Sequence, residues 1–309
     1  MVFSTKGPPG TWSPLPLMTH PLIPLTLIVL LAACSAPGRS RSDDRGLRFT
    51  AIPDQNTTEL QEKFRPLELH LTRALGTSVR YVPARDYQAA VEMFVNGDVG
   101  LAWYGGLTGV QARHRVPGAS AIARGEEDAA YYSYFIAHRA TELQPSSTFP
   151  FGIARHPFTF GSPQSTSGRL MPEYFIRQHT GKTPDEFFAL PVGFSGSHDR
   201  TLELVASAQY PVGVVNYKVY EQRVREGKVD PAVVRVIWRT PTYADYNWTV
   251  RPDLDARFGS GFTERLTGAL LEIQEPALLA ALPRERLVPA STAEYDDLRE
   301  VARQLDMLR

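Results

Sequence analysis

The spacing of apolar residues changes between two periods along the first third of the chain, and this pattern predicts alternating strands and helices. Short apolar runs that end at Pro or Gly predict strands at 47–53, 79–83 and 99–104. Between them, apolar residues at every third or fourth position predict helices at 60–76 and 86–97. Because the connections are short, this order indicates parallel strands joined by right-handed crossovers.

A second series of strands and helices follows. Helices are predicted after residue 165, at 201–208 and in the tail from residue 262. Extended crossings near 131–138 and 235–245 join the two series, so we predict an α/β fold of two lobes with a hinged cleft between them. The strands predicted in this part of the chain are 131–137, 158–160, 187–192, 210–216 and 233–238.

The length of 309 residues exceeds one average domain and is compatible with two lobes. We divide the chain, in order, into a signal peptide, a tether, the first part of lobe 1, lobe 2, and a return to lobe 1 with the C-terminal helices. These five parts are residues 1–33, 34–46, 47–137, 138–238 and 239–309.

The N-terminal segment predicts export. The apolar run 17–33 is broken by Pro and polar residues, and its densest part, 25–31, is shorter than the roughly 20 residues of a membrane span. It ends in Leu-Ala-Ala-Cys, which resembles the lipobox of bacterial lipoproteins, in which the Cys is acylated. Cys34 is the only Cys in the chain, so we predict that it carries lipid; translation starts at Met1 or Met18.

Composition excludes some partners. The chain has 33 Lys and Arg against 33 Asp and Glu, without a long run of one sign, which argues against nucleic-acid binding. Its His residues lack metal-ligand spacing, so we predict neither a metal site nor a cofactor.

The stretch 161–170 carries the chemistry that suggests a binding site. Ser165, Thr166 and Ser167 fall where a helix is expected to begin, and the first N–H groups of a helix lack partners and attract anions. Gly168 allows close approach of the backbone. The same composition is typical of an ordinary N-cap, so both interpretations stay open at this point.

Five motifs, taken in order, resemble the phosphonate and phosphite group of periplasmic substrate-binding proteins from ABC importers. The likeness covers nearly all the chain after the tether and is closest to the branch assigned to selenate importers. It implies the type II periplasmic-binding fold. The motifs are Ala-Ile-Pro-Asp-Gln-Asn at 51–56, Leu-Ala-Trp-Tyr-Gly-Gly at 101–106, Ser-Thr-Ser-Gly at 165–168, Gly-Ser-His-Asp at 196–199 and Val-Ile-Trp at 236–238.

The resemblance also implies which side chains hold an oxyanion. All of them donate hydrogen bonds without a full salt bridge. They are Tyr104, Ser165, Thr166, Ser167 and His198.

Two further residues bear on the choice of ligand. Where aminoalkylphosphonate binders carry an acidic residue, a strand here ends at Asn216, followed by Tyr and Lys, so an anion without an amine is expected: selenate, phosphite or a simple phosphonate. Asp245 is a candidate acceptor for a protonated ligand oxygen, or else an exposed loop residue.

The function implied is the lipid-anchored binding component of an ABC importer, monomeric and outside the cytoplasm in the cell envelope, with permease and ATPase partners and with lipid as its only membrane contact. A lipoprotein that senses the same anion would have the same fold. A hydrolase is disfavoured because His198 and Asp199 are adjacent, which does not orient an imidazole as a catalytic triad does, and no Gly-x-Ser-x-Gly elbow follows a strand. We therefore predict that the chain is not an enzyme.

Overall fold

The computed structural model describes residues 46–308 and the single residue Gly10. The predictions of a signal peptide and of lipidation at Cys34 lie, apart from Gly10, outside the described residues. Among the residues that are described, none of the helices combines the length and apolar character needed to cross a membrane.

The described chain contains eleven strands. In chain order they are β1 Leu47–Ala51, β2 Val79–Tyr81, β3 Leu101–Tyr104, β4 Ser120–Gly125, β5 Ser133–His138, β6 Phe158–Phe160, β7 Gly193–Phe194, β8 Val212–Asn216, β9 Val234–Arg239, β10 Asn247–Val250 and β11 Leu287–Pro289.

Ten α-helices accompany them in the same part of the chain. They are α1 Thr57–Leu75, α2 Tyr87–Val95, α3 Gly106–Arg115, α4 Met171–Thr180, α5 Pro184–Phe187, α6 His198–Ala206, α7 Tyr217–Arg225, α8 Leu254–Phe258, α9 Phe262–Leu271 and α10 Asp296–Gln304. Short 3-10 turns are Glu126–Ala130, Arg139–Thr141, Phe151–Arg155, Pro276–Leu279 and Thr292–Tyr295, and a π-helical turn spans Thr166–Leu170.

The first lobe is built on a six-stranded sheet in the order β11-β4-β10-β3-β1-β2. The parallel pairing predicted for its first three strands is confirmed, since β1 pairs with β2 on one side and with β3 on the other. Strand β10 returns from the second half of the chain and runs antiparallel between β3 and β4. The ends of β1 and β3 therefore lie side by side, as in sheets that bind ligands beyond their carboxyl edges.

The second lobe is built on a five-stranded sheet in the order β7-β6-β8-β5-β9. Strand β5 belongs to this sheet and pairs antiparallel with β8 and β9, although our division of the sequence ended lobe 1 at residue 137. The two crossings lie against each other, because Tyr131 and Tyr243 exchange backbone hydrogen bonds of 2.8 and 2.9 Å. This pairing ties together the two segments that connect the lobes. The five-part division as a whole stays a prediction.

Local signals explain the first helix. The Asn56 side chain accepts hydrogen bonds from the N–H groups of Thr58 and Glu59, and the helix ends at Gly76 in the left-handed conformation, with φ of 65°. Its apolar stripe faces the core of the first lobe. The buried residues of that stripe are Leu60, Phe64, Leu67 and Leu71.

One predicted strand is wrong. The segment 187–192 does not form a strand; it follows the short helix α5, and the only strand near it is the two-residue β7. The helix forms because Thr183 and Glu186 make a capping box around Pro184, with the Glu186 carboxylate accepting from the Thr183 N–H at 2.8 Å. The aromatic pair that follows packs as core and does not extend a sheet edge.

Candidate functional site

The Ser-Thr-Ser stretch lies where the sequence placed it, between β6 and the next helix. Ser165 is the N-cap, and its hydroxyl accepts a hydrogen bond of 2.9 Å from the Gly168 N–H. The backbones of Gly161 and Gly168 approach closely, with the Gly161 N–H donating to the Gly168 carbonyl at 2.8 Å. The π-helical turn that results is a geometry found most often at functional sites.

This turn faces the first lobe. Thr166 Oγ1 accepts a hydrogen bond of 3.0 Å from the Leu107 N–H, in the first turn of α3. The preceding N–H, of Gly106, donates to Asp245 Oδ1 at 2.8 Å. The N-terminus of α3, the Ser-Thr-Ser turn and the second crossing between the lobes therefore meet at one point. Asp245 is fully buried, so the alternative of an exposed loop Asp is wrong.

His198 opens helix α6 and contacts both lobes. Its backbone N–H donates to the Asp54 carbonyl at 3.0 Å, and its Nδ1 accepts from the Asn216 N–H at 3.4 Å. Nδ1 is thus the acceptor, and Nε2 carries the proton. Burial lowers the pKa of His198 to about 3, so the ring is neutral, and Nε2 is buried without a hydrogen-bond partner.

A chain of hydrogen bonds links Asn216 to the first lobe. The Asn216 Oδ1 caps α7 by accepting from the Val219 N–H at 2.7 Å, and its Nδ2 donates to the Tyr246 hydroxyl at 3.1 Å. The Tyr246 hydroxyl in turn donates to Asp54 Oδ2 at 2.8 Å. Both polar atoms of the Asn216 amide are thus already bonded within the protein, and its role as a direct ligand contact stays a prediction.

Two tyrosines near the cleft differ in what their hydroxyls do. Tyr104, assigned to the ligand by resemblance, donates its hydroxyl to the Ala90 carbonyl at 2.7 Å inside the first lobe. The Tyr87 hydroxyl is buried beside the Ser165 side chain, and within the described residues no group meets it with full hydrogen-bond geometry. The geometry therefore brings forward Tyr87, at the start of α2, as a candidate that sequence reasoning missed. The ligand role of Tyr104 stays a prediction.

Two carboxyl groups lie in this region. Burial raises the pKa of Asp54 to about 6, against the opposing hydrogen bond from Tyr246 and the charge of Arg284. Burial also raises the pKa of Asp245 to about 7, against the hydrogen bond from the Gly106 N–H. Groups poised to gain or lose a proton near neutral pH occur most often at functional sites.

Several buried polar atoms of this region have no hydrogen-bond partner among the described residues, which is uncommon unless a ligand or water satisfies them. Electrostatic interactions join Tyr87 to Asp54 and Asp245, and Tyr131 to Asp245, so these groups form one cluster. The atoms are Gln55 Oε1, Tyr87 OH, Tyr131 OH, His198 Nε2 and Asp245 Oδ2. We call the whole cluster the cleft site: Asp54, Gln55, Tyr87, Tyr131, Ser165, Thr166, Ser167, His198, Asn216, Asp245 and Tyr246.

The site residues that the sequence analysis missed differ in how easily the sequence alone could have identified them. Asp54 lies three residues after the end of β1 and was part of a quoted motif, and Tyr246 follows Asp245, so position along the chain could have found both. Tyr87 has no comparable signal. Within the described residues, no group of three or more His, Cys, Asp or Glu side chains is arranged to hold a metal ion.

The model of a family of periplasmic substrate-binding proteins, from ABC transporters for phosphonate, matches residues 49–295. The chain belongs to this family. Members are substrate-binding components of transporters, so this binding protein is not an enzyme, and it works outside the cytoplasmic membrane with an ABC transporter.

Individual relatives are similar to this chain over most of its length. The binding protein is 36% identical over 276 residues to a probable ABC transporter phosphite binding protein, PhnD1, of Prochlorococcus marinus strain MIT 9301, covering 87% of this chain and 92% of the relative. It is 25% identical over 296 residues to the phosphate-import protein PhnD of Mycolicibacterium smegmatis, covering 88% and 91%. The solved structure of PhnD1 from Prochlorococcus marinus in complex with methylphosphonate matches with a TM-score of 0.80 at 36% identity, covering 85% of this chain and 99% of that one.

Proposed function

We propose that the binding protein holds phosphite or a simple phosphonate in the cleft site and delivers it to an ABC permease and ATPase. The observation that carries this proposal is the set of unpartnered buried polar atoms around the Ser-Thr-Ser turn within the described residues, of which His198 Nε2, the Tyr87 hydroxyl and the Tyr131 hydroxyl are the donors. The names of the relatives support the ligand class, since PhnD1 is described as phosphite-binding and its structure was solved with methylphosphonate.

The buried carboxyl group of Asp245 favours a ligand that carries a proton. Oδ2 of Asp245 is buried without a partner, and a carboxylate there accepts a hydrogen bond from a ligand O–H. Phosphite and phosphonates lose their second proton close to neutral pH, as phosphate monoesters do with a second pKa of about 6. Sulfate and selenate have no proton at that pH, and a buried carboxylate repels them. Among the oxyanions that the sequence left open, we therefore favour phosphite and simple phosphonates over selenate.

The residues around Asn216 also support our expectation that the ligand lacks an amine. The strand end at Asn216 presents an amide that caps α7. The next charged residue, Lys218, forms an ion pair with Glu127 of the first lobe. A ligand ammonium group would thus meet no carboxylate at this strand end.

Two further parts of the proposal concern the cell envelope. We propose that lipid on Cys34 anchors a monomeric binding protein at the membrane surface, because the only Cys of the chain lies in a lipobox-like context. Substituting Cys34→Ala is expected to move the protein from the membrane fraction to the soluble fraction of the envelope. Retention of the variant in the membrane fraction would show that Cys34 is not the anchor.

Calorimetric titration of the full-length chain, purified in detergent, tests the ligand. We expect one-to-one binding of phosphite or methylphosphonate, with affinity at least about tenfold higher than for sulfate or selenate, which corresponds to about 1.4 kcal/mol. Phosphate, which also carries a proton at neutral pH, is the fifth anion of the titration. Preference for sulfate or selenate would refute the protonated-ligand argument. Absence of binding to all five anions would refute the proposed function.

A further inference from the structure

Arg284 is a buried cation behind the cleft site. It lies in the C-terminal segment that leads into β11, and 2% of its side chain is exposed. Its Nε and Nη2 each donate to one carboxylate oxygen of Asp128 at 2.8 Å, and Nη1 donates to the Leu282 carbonyl at 2.6 Å. Asp128 is itself fully buried, so both charges of this pair are removed from water.

The guanidinium group packs on aromatic rings of the cleft site. Its central carbon lies 4.7 Å from the centre of the Tyr246 ring and 5.3 Å from that of Tyr131. The far ends of these rings carry the Tyr246 hydroxyl, which donates to Asp54, and the unpartnered Tyr131 hydroxyl. A cation against an aromatic face contributes roughly 0.5–2 kcal/mol and holds the ring in place. Arg284 thus packs against the rings of Tyr131 and Tyr246, whose hydroxyls belong to the cleft site.

The same ion pair is joined to the second crossing between the lobes. The Asp128 carbonyl accepts a hydrogen bond of 2.9 Å from the backbone N–H of Asp245. The carboxyl group of Asp245 lies in the cleft site. Movement of the Arg284 and Asp128 pair would therefore displace both the rings and this carboxyl group.

A role in stability alone explains the pair poorly. The cost of taking two charges out of water often exceeds their attraction, and replacement by apolar residues of similar volume is often neutral or stabilising. The nearby pair of Arg286 and Glu126 has the same charges and lies at the surface, where a salt bridge has little cost. We therefore explain the burial of the Arg284 and Asp128 pair by its effect on the neighbouring side chains of the cleft site.

We propose that Arg284, held by Asp128, is a positioning residue for oxyanion binding: it fixes the rings of Tyr131 and Tyr246 and places positive charge behind the cleft site. This inference rests on the proposed function. Arg284 acts through other residues, since its own hydrogen bonds are made to Asp128 and to backbone carbonyls.

The charge of Arg284 also reaches the carboxyl groups of the site. It lowers the pKa of Asp54 and that of Asp245, in opposition to burial. Asp128 has the reverse influence on Asp245. Removing the whole pair is therefore expected to raise the pKa of Asp54, while its two influences on Asp245 oppose each other. Among the described residues, the other titratable groups near the guanidinium include Tyr131 and Tyr246, against which it packs, and Tyr217, whose pKa its charge lowers against burial.

The test compares three variants of the full-length chain, with methylphosphonate as the probe. The double variant Arg284→Met with Asp128→Asn removes the pair without leaving a buried charge, and Arg284→Lys keeps the charge but loses the planar group. The double variant Arg286→Met with Glu126→Gln removes the surface pair and is the matched control. Affinity is measured by calorimetry between about pH 5 and pH 8, and folding by thermal unfolding.

We expect the buried double variant to stay folded, to bind at least about tenfold more weakly, and to show its pH dependence displaced to higher pH. Arg284→Lys is expected to recover part of the affinity, and the control to behave as the wild type. A purely structural role would lower the folding midpoint without displacing the pH dependence, and that result would overturn the inference.

The remaining outcomes also decide the question. If the buried double variant does not fold, wild-type affinity and wild-type pH dependence in Arg284→Lys would overturn the inference, and weakened binding in a folded Arg284→Lys protein would support it. Failure of the wild type itself to bind methylphosphonate, phosphite or any other anion of the panel would refute the proposed function, and the inference with it. Wild-type binding with unchanged variants would refute the inference alone.

Discussion

The backbone N–H of His198 donates a hydrogen bond to the carbonyl oxygen of Asp54, 3.0 Å away, and so joins the second lobe to the loop that follows β1 in the first. The same contact holds the imidazole over the cleft site with Nε2 unpartnered. His198 therefore connects the approach of the lobes to the presentation of a neutral donor. If His198 binds the ligand as we propose, its side chain serves the ligand while its backbone contributes to the contact between the lobes.

Replacing His198 separates its side chain from this backbone contact. His198→Ala keeps the N–H and removes the Nε2–H donor, and hydrogen bonds to charged groups contribute roughly 1.5–3 kcal/mol. We expect calorimetry to show methylphosphonate binding weakened by about 10- to 100-fold. His198→Gln, which can place an amide N–H near Nε2, is expected to recover part of the loss. An Ala variant with wild-type affinity would remove His198 from the ligand contacts.

The raised pKa of Asp245 gives a prediction for stability without ligand. The folded value is about 7 against an unfolded value near 3.8, so the stability that protonation contributes is present below the unfolded pKa and is lost as the pH rises through 7. Asp245→Asn cannot ionise, and its Oδ1 can still accept from the Gly106 N–H. Relative to wild type, we expect the free energy of unfolding of this variant to increase with pH, by up to about 4 kcal/mol at pH 8.

Asp255 supplies a control of opposite sign. Its carboxylate accepts hydrogen bonds from Thr263 and from the Gly261 N–H, which lower its pKa. Stability from this group is present above the unfolded pKa and is lost as the pH falls. Asp255→Asn should therefore lose stability relative to wild type at neutral pH, and less at acid pH. Denaturant unfolding measured in the absence of ligand checks both variants, and parallel pH profiles for the two would contradict the argument.

Phe substitutions at Tyr87 and Tyr104 test which of the two hydroxyls forms a hydrogen bond with the ligand. Tyr87→Phe removes a buried hydroxyl that lacks a partner, so we expect weaker methylphosphonate binding and unchanged or slightly higher thermal stability. Tyr104→Phe removes the buried hydrogen bond from this hydroxyl to the Ala90 carbonyl, so we expect a loss of about 1 kcal/mol in stability and near wild-type affinity. The reverse pattern would restore the assignment of Tyr104 that the family resemblance implies.

The fold was predictable where local pattern and long-range pairing agree. Strands β1 to β3 alternate with helices, and the amphipathic stripe of α1 faces the sheet as expected. Strand β10 was missed because its place between β3 and β4 depends on a partner more than 100 residues away, and its sequence alone is short. The segment 187–192 was mistaken for a strand because its aromatic run hid the capping box at Thr183.

The Ser-Thr-Ser turn of the cleft site was predictable from the sequence, and the burial of its carboxyl groups was not. Ser165, Thr166 and Ser167 carry a helix-start composition that can be seen in the sequence. The N-cap interpretation of Ser165 is confirmed, and anion binding by this buried residue stays a prediction. Burial of Asp54 and Asp245 could not be inferred, because acidic residues in loops are usually exposed. Only packing of the two lobes removes them from water.

Gly105 provides the sharpest test of how closely the lobes meet. Its backbone conformation, φ −71° and ψ 166°, suits any residue, so Ala at this position does not strain the first lobe. A Cβ there would lie 3.1 Å from Thr166 Oγ1 and 3.2 Å from Asp245 Oδ1, closer than atoms normally approach. The penalty of Gly105→Ala therefore falls on the contact between the lobes, where Thr166 accepts from Leu107.

We expect Gly105→Ala to weaken methylphosphonate binding by about tenfold or more, because the added Cβ displaces Thr166 and Asp245 from their positions in the cleft site. Gly268→Ala is a matched control, because a Cβ at that helical position has no neighbour within 4 Å. Small-angle scattering with saturating ligand would show whether the Gly105 variant stays more extended than wild type. Equal affinity and equal compaction in the two proteins would mean that the lobes do not need to meet at Gly105 for the ligand to bind.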